Sequence, residues 1–115
     1  MLNIKLIKSK DFFTGLFISG HAFMGEPGED IVCASVSTLG ITLANYLVEV
    51  LKISEEMLGI HAIENDEASI LSINIEDENI IEKNEVQNGF KFFEIGMISL
   101  LEDYSEYIEL IYQEV

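Results

Sequence analysis

The sequence predicts a single two-layer α+β domain over residues 1–115. In it, two antiparallel hairpins and two long helices follow in the order strand-strand-helix-strand-strand-helix. A chain of 115 residues is a common size for one domain, and 49% of the residues are hydrophobic, enough to form a core. Two pairs of short strand-like segments are each followed by a long helix-like segment. Helices on one side of a mostly antiparallel sheet form a two-layer α+β sandwich.

The first hairpin is predicted over residues 2–19. Apolar and polar side chains alternate over residues 2–7, which is typical of a half-buried strand. Residues 12–19 are rich in phenylalanine and isoleucine and predict the second strand. The polar residues 9–11 between them predict a turn, so the two strands are expected to pair antiparallel.

A glycine-rich segment over residues 20–29 follows the hairpin. Its loop-forming residues are Gly20, Gly25, Pro27 and Gly28. Glycine and proline favour turns and irregular backbone, so this segment is predicted to be a mobile loop.

The first long helix is predicted from Asp30 to about Lys52, because aspartate is a favoured N-cap residue. No charged residue lies between Asp30 and Glu49, so the helix is expected to be mostly buried. One side carries small residues at helical spacing, namely Cys33, Ser37, Gly40 and Ala44. Such a strip would let the sheet come close to the helix. The other side carries a polar stripe, namely Ser35, Thr38, Thr42, Asn45 and Glu49.

A second hairpin is predicted from two further strand-like segments, residues 58–64 and 69–75. Residues 65–68, of which the first three are polar, predict the turn between them. Residues 76–84, which follow the hairpin, are acidic and expected to be irregular.

The final helix has the clearest periodicity in the chain. Apolar residues recur at steps of three and four from Val86 to Ile111, which predicts one helix over this whole stretch. The spacing of Asn84 and Gln87 resembles a capping box at its start.

The charge of the chain excludes some classes of partner and favours another. The net charge is −15 and there is no arginine, so direct binding to nucleic acid is not expected. Residues 1–63 carry 4 lysines against 7 acidic residues, whereas residues 64–115 carry 2 against 14. A basic partner would be attracted by this field, although acidity also serves solubility.

The location predicted from the sequence is the cytoplasm. The N-terminus lacks the long apolar run of a signal peptide, and no segment is expected to span a membrane. The single cysteine cannot form an intramolecular disulfide, and a thiol stays reduced in the cytoplasm. No Cys/His cluster has metal-ligand spacing, so neither a metal nor another cofactor is expected.

Cys33 and His21 are the candidate catalytic residues. With Asp30 as N-cap, Cys33 is the third residue of the helix, where the helix dipole favours thiolate over thiol. The negative charge of Asp30 opposes this effect, so the thiol needs a histidine partner, and His21 lies where the loop can fold back toward it. A thiolate–imidazolium pair would supply both a nucleophile and an acid for the leaving amine. First-turn N–H groups near Cys33 could also stabilise an oxyanion.

The residues by themselves leave other interpretations open. A lone cysteine in an apolar helix is often a small buried side chain, and an exposed one can be a redox-sensing thiol. A metal site on Cys33, His21 and His61 would require three distant residues to converge. His61 itself is expected to be structural, because it lies in a predicted strand among apolar residues. A phosphate-binding loop is disfavoured, because the G-x-x-x-x-G-K-[ST] pattern is missing and the acidic residues of the loop would repel phosphate.

Residues 20–37 resemble the ribosomal-processing cysteine protease (Prp) family. The resemblance lies in Gly-His-Ala at residues 20–22, followed by the pattern G-x-x-G-x-D-I-V-C-A-x-V-S at residues 25–37. It implies an endopeptidase that removes the N-terminal extension of a large-subunit ribosomal protein, with Cys33 as nucleophile and His21 as general base. The other residues that match the motif are Gly20, Gly25, Gly28, Asp30 and Ser37.

The resemblance also implies partners. A basic ribosomal protein precursor would be the substrate, and the family tends to form homodimers, for which the polar stripe of the first helix is one candidate surface. The alternative function is a non-enzymatic acidic adaptor that binds a basic ribosomal protein during ribosome assembly. In that case Cys33 would be a packing residue.

Overall fold

The structure is a computed structural model that describes residues 1–20, 30–64 and 69–115. Its strands are β1 (Leu2–Ser9), β2 (Phe12–Gly20), β3 (His61–Glu64), β4 (Ser69–Asn74) and β5 (Ile108–Glu114). Its helices are α1 (Ile31–Asn45), α2 (Glu55–Leu58), α3 (Glu78–Ile81) and α4 (Asn84–Tyr104), and a π-helical turn (Tyr46–Val50) extends α1.

The five strands form one sheet in the order β3-β4-β2-β1-β5. The pairs β1–β2, β2–β4 and β3–β4 are antiparallel, whereas β1 and β5 are parallel. The predicted α+β class and both antiparallel hairpins are therefore confirmed. The third strand starts at His61 rather than at residue 58, where the short helix α2 ends, and α3 forms within the segment predicted to be irregular.

The prediction of a final helix as far as Ile111 is wrong, because α4 ends at Tyr104 and the chain continues as β5. Ile108 lies four residues after Tyr104, so it fits a helical period as well as a strand period. The outer edge of β1 decides between them, since it provides backbone partners for β5 from Leu2↔Ile108 to Lys8↔Glu114. The backbone N–H and C=O groups at this edge of β1 pair with β5, whereas at an unpaired edge they would be exposed to water.

The core lies between α1, α4 and one face of the sheet. Alternate residues of β1 and β2 point into it, and these include the paired Ile4 and Ile18. From the helical layer, Val36 of α1 and Phe90 of α4 are fully buried. The Phe90 ring stacks on the ring of Phe13 with 5.8 Å between centroids.

Helix α1 is less buried than predicted. Its buried residues are Val32, Val36, Gly40, Leu43 and Ala44. The exposed positions of the helix carry no charge and include Ile31 and Ile41, so the absence of charge did not indicate burial. The helix Ile31–Val50 is long and apolar enough to cross a membrane by length and composition alone, with a mean hydropathy of 1.7. Here it packs on the sheet, and core helices of folded domains meet the same criteria.

The predicted capping box at α4 is not formed. Lys83 occupies the N-cap position and makes no side-chain cap bond. The side chain of Gln87 is buried and points to the sheet instead. It accepts the Phe13 N–H and donates to the carbonyl oxygens of Phe13 and Ile81, each at 2.8 Å. Gln87 thus ties the start of α4 to the start of β2.

Candidate active site

Asp30 starts α1 and organises its first turn, as the sequence predicts. Its Oδ1 atom accepts the backbone N–H of Cys33 at 2.9 Å, and its carbonyl oxygen accepts the N–H of Ala34 at 3.1 Å. The side-chain bond is a standard N-cap interaction. Cys33 is consequently fixed within the first turn of the helix, where the helix dipole acts most strongly.

This cap changes one sequence-based idea about the chemistry. First-turn N–H groups near Cys33 were candidate donors to an oxyanion, but the N–H of Cys33 itself already donates to Asp30. It can serve an oxyanion only after the Asp30 carboxylate has released it. The same carboxylate places a negative charge in the first turn of the helix, opposite in sign to the partial charge of the helix N-terminus.

The Cys33 side chain is half-buried and packs against the hydrophobic core. Further along the same side of α1, Gly40 approaches the sheet closely. A Cβ atom on Gly40 would lie 2.7 Å from Ile18 Cδ1 and 2.9 Å from Leu71 Cδ2. The predicted contact of the small-residue strip with the sheet is therefore confirmed at Gly40. A larger residue there would push the helix away from β2 and β4.

The N-terminal end of α1 lies toward the end of the sheet where β2 finishes. At the opposite end of α1, the Tyr46 hydroxyl donates to the Glu85 carbonyl at the start of α4. Gln87, also in the first turn of α4, bonds to Phe13 at the start of β2. Because the C-terminal end of the helix is near the start of β2, its N-terminal end, which carries Cys33, lies toward the other end of β2.

Gly20 has a backbone conformation that other residue types rarely adopt. Its φ is +93°, and a Cβ atom there would lie 2.5 Å from the Met1 carbonyl oxygen. Both facts require glycine, because β1 and β2 meet closely at this point. His21, Gly25 and Gly28 lie outside the described residues, so the pairing of Cys33 with His21 stays a prediction.

Ser37 lies one helical turn after Cys33 and is half-buried. It opens onto a space of about 320 Å³ between α1 and the β3–β4 hairpin, which we call the hairpin cleft. The cleft is lined by Ile18, Ser37, Ile41, Ala62, Ile63, Ile70 and Leu71. Among these described lining residues, none carries a charge. Apart from Ser37, sequence reasoning did not single them out as site residues, because only the packing of α1 over the sheet brings them together.

His61 and Cys33 are on opposite sides of the sheet. It pairs with Ser72 across β3 and β4, whereas the neighbouring pair of Ala62 and Leu71 lies on the side of α1. Because successive residues of a strand face opposite sides, His61 is on the sheet face away from α1. Within the ranges 1–20, 30–64 and 69–115, no group of three or more His, Cys, Asp or Glu residues could hold a metal ion.

The fold and the capped cysteine at the start of α1 define a class of protein. The family model of cysteine protease Prp matches residues 1–109. The chain therefore belongs to the cysteine protease Prp family and is a cysteine protease. Comparison with curated proteins gives no match.

Solved structures share this fold over the full length of the chain. One is SMU.848 from Streptococcus mutans, with 28% identity and a TM-score of 0.84, covering 100% of this chain and 96% of that one. Another is the essential ribosomal processing protease Prp from S. aureus with a covalently linked product peptide. It has 23% identity and a TM-score of 0.80, and the alignment covers 98% of this chain and 100% of that one. The S. aureus protein with a substrate peptide gives the same identity and coverage, with a TM-score of 0.75.

Proposed function

We propose that this protein is an endopeptidase that removes the N-terminal extension of a large-subunit ribosomal protein with a Cys33–His21 dyad. The observation that carries the proposal is the position of Cys33 in the first turn of a capped helix, one turn before Ser37, in a member of a cysteine protease family. Family membership favours this function over the adaptor. The S. aureus relative is a ribosomal processing protease, which supports the substrate class.

The proposed reaction has two steps. The Cys33 thiolate attacks the carbonyl carbon of the scissile bond, and the C–N bond breaks as the His21 imidazolium protonates the leaving amine. His21 then takes a proton from water, which attacks the thioester and releases the new carboxylate. Cys33 leaves as the thiolate beside the His21 imidazolium, which restores the starting pair, and the product carboxylic acid loses its proton to the solvent. No cofactor is needed for either step.

The negative charge of the chain fits a basic substrate, and its single thiol fits a reducing compartment. Residues 64–115 carry 14 acidic residues, and ribosomal proteins are basic, so the encounter is electrostatically favourable. We place the reaction in the cytoplasm, where a thiol nucleophile stays reduced.

The proposal is tested by cleavage of the extended ribosomal protein, with the product measured by mass spectrometry. We expect cleavage at one bond by the wild type and none by Cys33→Ala or His21→Ala. The circular dichroism spectra of both variants should show that they are folded. Ile111→Ala, on the sheet face away from α1, serves as the control that should cleave normally. Cleavage that survives Cys33→Ala would refute the proposal.

We also propose that two copies associate through a groove on the outer side of α1 and α4, which we call the α1–α4 groove. It has a volume of about 360 Å³ and is lined by Leu39, Thr42, Leu43, Tyr46, Asn88, Gly89, Phe92 and Phe93. Phe92 is 79% exposed, and none of these described lining residues is charged. Two chains of charge −15 repel each other, so a charge-free apolar surface is the favourable place for contact. The groove includes Thr42 of the predicted polar stripe.

The oligomeric state tests this association. Sedimentation should give twice the chain mass of 12.9 kDa for the wild type and the single mass for Phe92→Glu. Ile111→Glu adds the same charge on the sheet face away from α1 and should stay dimeric. A wild-type monomer at high protein concentration, or a dimer that persists in Phe92→Glu, would contradict the proposal.

A further inference from the structure

Strand β5 is an open edge of the sheet. It is the last strand in the order β3-β4-β2-β1-β5, and within the part of the chain that the structure describes no further strand pairs with it. It spans seven residues, Ile108–Glu114, whereas β3 at the opposite edge spans four, His61–Glu64. Its register with β1 has no shift along this length. The edge is therefore long and regular enough to hold a further strand.

The backbone of β5 presents the hydrogen-bonding groups of alternate residues at this edge. At one end of the β1–β5 ladder the Tyr107 carbonyl oxygen accepts the Leu2 N–H, and at the other end the Val115 N–H donates to the Lys8 carbonyl oxygen, each at 2.9 Å. Odd-numbered residues of β5 thus bond to β1, because successive residues of a strand direct these groups to opposite sides. The even-numbered residues of Ile108–Glu114 direct their N–H and C=O groups away from β1.

The side chains of β5 protect this edge by negative charge alone. Proteins keep edge strands from pairing with proline, lysine, a bulge or a very short strand. Residues 108–114 contain neither proline nor lysine, and their charged residues are Glu109 and Glu114. Residues 102–115 as a whole carry five acidic residues and no lysine. Such an edge repels a second copy of a chain of net charge −15, whereas it attracts an extended segment that carries lysine or arginine.

The open edge begins at the end of the sheet toward which Cys33 lies. Leu2 pairs with Gly20 at the end of β2 and with Ile108 at the start of β5, so these residues share one end of the sheet. With strands about 4.8 Å apart, a strand added to β5 is about 14 Å from β2. An extended chain advances about 3.3 Å per residue, so it covers this distance in about four residues or more. A protein substrate can therefore reach the edge with a segment outside the residues at the scissile bond.

We propose that the open edge of β5 binds an extended basic segment of the protein substrate as a sixth strand, about four or more residues from the scissile bond. The proposal rests on the proposed function, because the substrate there is a basic ribosomal protein. Backbone hydrogen bonds supply the affinity, and the carboxylates of Glu109 and Glu114 favour lysine or arginine in the added strand.

Tyr112→Pro tests the edge in the cleavage reaction, because proline removes an outward N–H and none of the bonds to β1. For the extended ribosomal protein, kcat/KM should fall about tenfold through a higher KM, with kcat little changed. A peptide of three residues on either side of the scissile bond should be cleaved as by the wild type. Tyr112→Phe is the matched control, since it also loses the hydroxyl that bonds to Glu94, and should retain wild-type kinetics. An equal loss for protein and short peptide, or no loss for either, would overturn the proposal.

A binding measurement gives a result even if no protein is cleaved. The probe is a seven-residue peptide of alternating lysine and valine, blocked at both ends and titrated into the folded Cys33→Ala variant. The same peptide with every backbone amide N-methylated, or with glutamate in place of lysine, should bind at least about tenfold more weakly. Glu109→Lys should narrow the difference between the lysine and glutamate peptides about fivefold. Glu55→Lys, the same change at an exposed position of α2, should leave this difference nearly unchanged.

The outcomes separate the edge from the proposed function. Binding that has this pattern in Cys33→Ala, without cleavage by the wild type, would support the edge and refute the protease function. No binding, equal binding of the methylated peptide, or binding that Tyr112→Pro does not weaken would overturn the edge and leave the protease function intact. A dimer that Tyr112→Pro converts to a monomer would also overturn it, because the edge would then bind a second copy.

Discussion

The Oδ1 atom of Asp30 accepts the backbone N–H of Cys33 at 2.9 Å. This one bond has two opposing consequences for a thiol nucleophile. It stabilises the helix that holds Cys33 in position, but it also occupies an N–H group and places a negative charge in the same turn. We therefore expect Asp30 both to stabilise the helix and to lower the reactivity of the Cys33 thiol.

Asp30→Asn should make Cys33 more reactive. Asparagine retains a cap acceptor and removes the charge, and a charge near a helix terminus changes such equilibria by about 0.3–1 kcal/mol, so alkylation by iodoacetamide at neutral pH should be about two- to fivefold faster. Ser54→Ala is the control, because Ser54 caps α2 through the Met57 N–H at 3.2 Å and should leave the rate unchanged. A rate equal to or below that of the wild type would show that the charge of Asp30 does not restrain the thiol.

Capture of a basic substrate should depend on salt. The chain has a net charge of −15, and steering by such a field weakens as salt shortens its range. We expect kcat/KM for the extended ribosomal protein to fall roughly tenfold between low and high sodium chloride, with kcat little changed. A peptide whose basic residues are replaced by glutamine provides the control. If kcat/KM depends equally on salt for both substrates, the acidity of the chain serves solubility and not substrate capture.

Gln87 should be important for stability although it is remote from Cys33. Its amide satisfies the N–H and the carbonyl of Phe13 and the carbonyl of Ile81, in a buried position. Phe13 lies beyond the end of the β2–β4 ladder, which starts at Gly15, so β4 cannot replace these bonds. Gln87→Ala should lower the free energy of unfolding by about 3–5 kcal/mol, since buried backbone groups lose their partners.

Urea unfolding measures this effect, and the exposed Gln113→Ala should change the free energy of unfolding by less than about 0.5 kcal/mol. A loss below about 1 kcal/mol for Gln87→Ala would mean that water replaces the amide.

Tyr112 should make stability depend on alkaline pH. Its hydroxyl donates to Glu94 Oε2 at 2.5 Å, which links β5 to α4. Burial, together with the hydrogen bond and negative charge of Glu94, raises the pKa of Tyr112 from 10.0 to about 12. The folded state thus favours the neutral phenol, so this contribution is complete below pH 10 and is lost as the pH rises toward 12. The stability difference between the wild type and Tyr112→Phe should narrow over that range, whereas a constant difference in urea midpoint would contradict the pairing.

Local patterns predicted much of this fold. The two antiparallel strand pairs follow from short alternating segments close together in the sequence, and the cap of α1 follows from the single residue Asp30. These features depend on neighbours in sequence, so the sequence contains their causes. The position of Cys33 in the first turn of α1 could be predicted for the same reason.

The features that depend on distant contacts were not predicted. Ile108 fits both periods, and only the open edge of β1 makes the last segment a strand. The amide of Gln87 bonds to a residue 74 positions away. The hairpin cleft exists because α1 ends its coverage at β4 and leaves Ala62 exposed, which no spacing within α1 reveals.

The most direct test of Cys33 as the nucleophile is to trap the covalent intermediate. An activated ester of the N-terminal extension makes hydrolysis of the thioester the slow step, and acid quenching followed by peptide mapping locates the attached fragment. We predict the acyl group on Cys33, the only cysteine of the chain, and no acylated enzyme in Cys33→Ala. Release of the product without an acyl group on Cys33, or equal turnover by Cys33→Ala, would contradict the account.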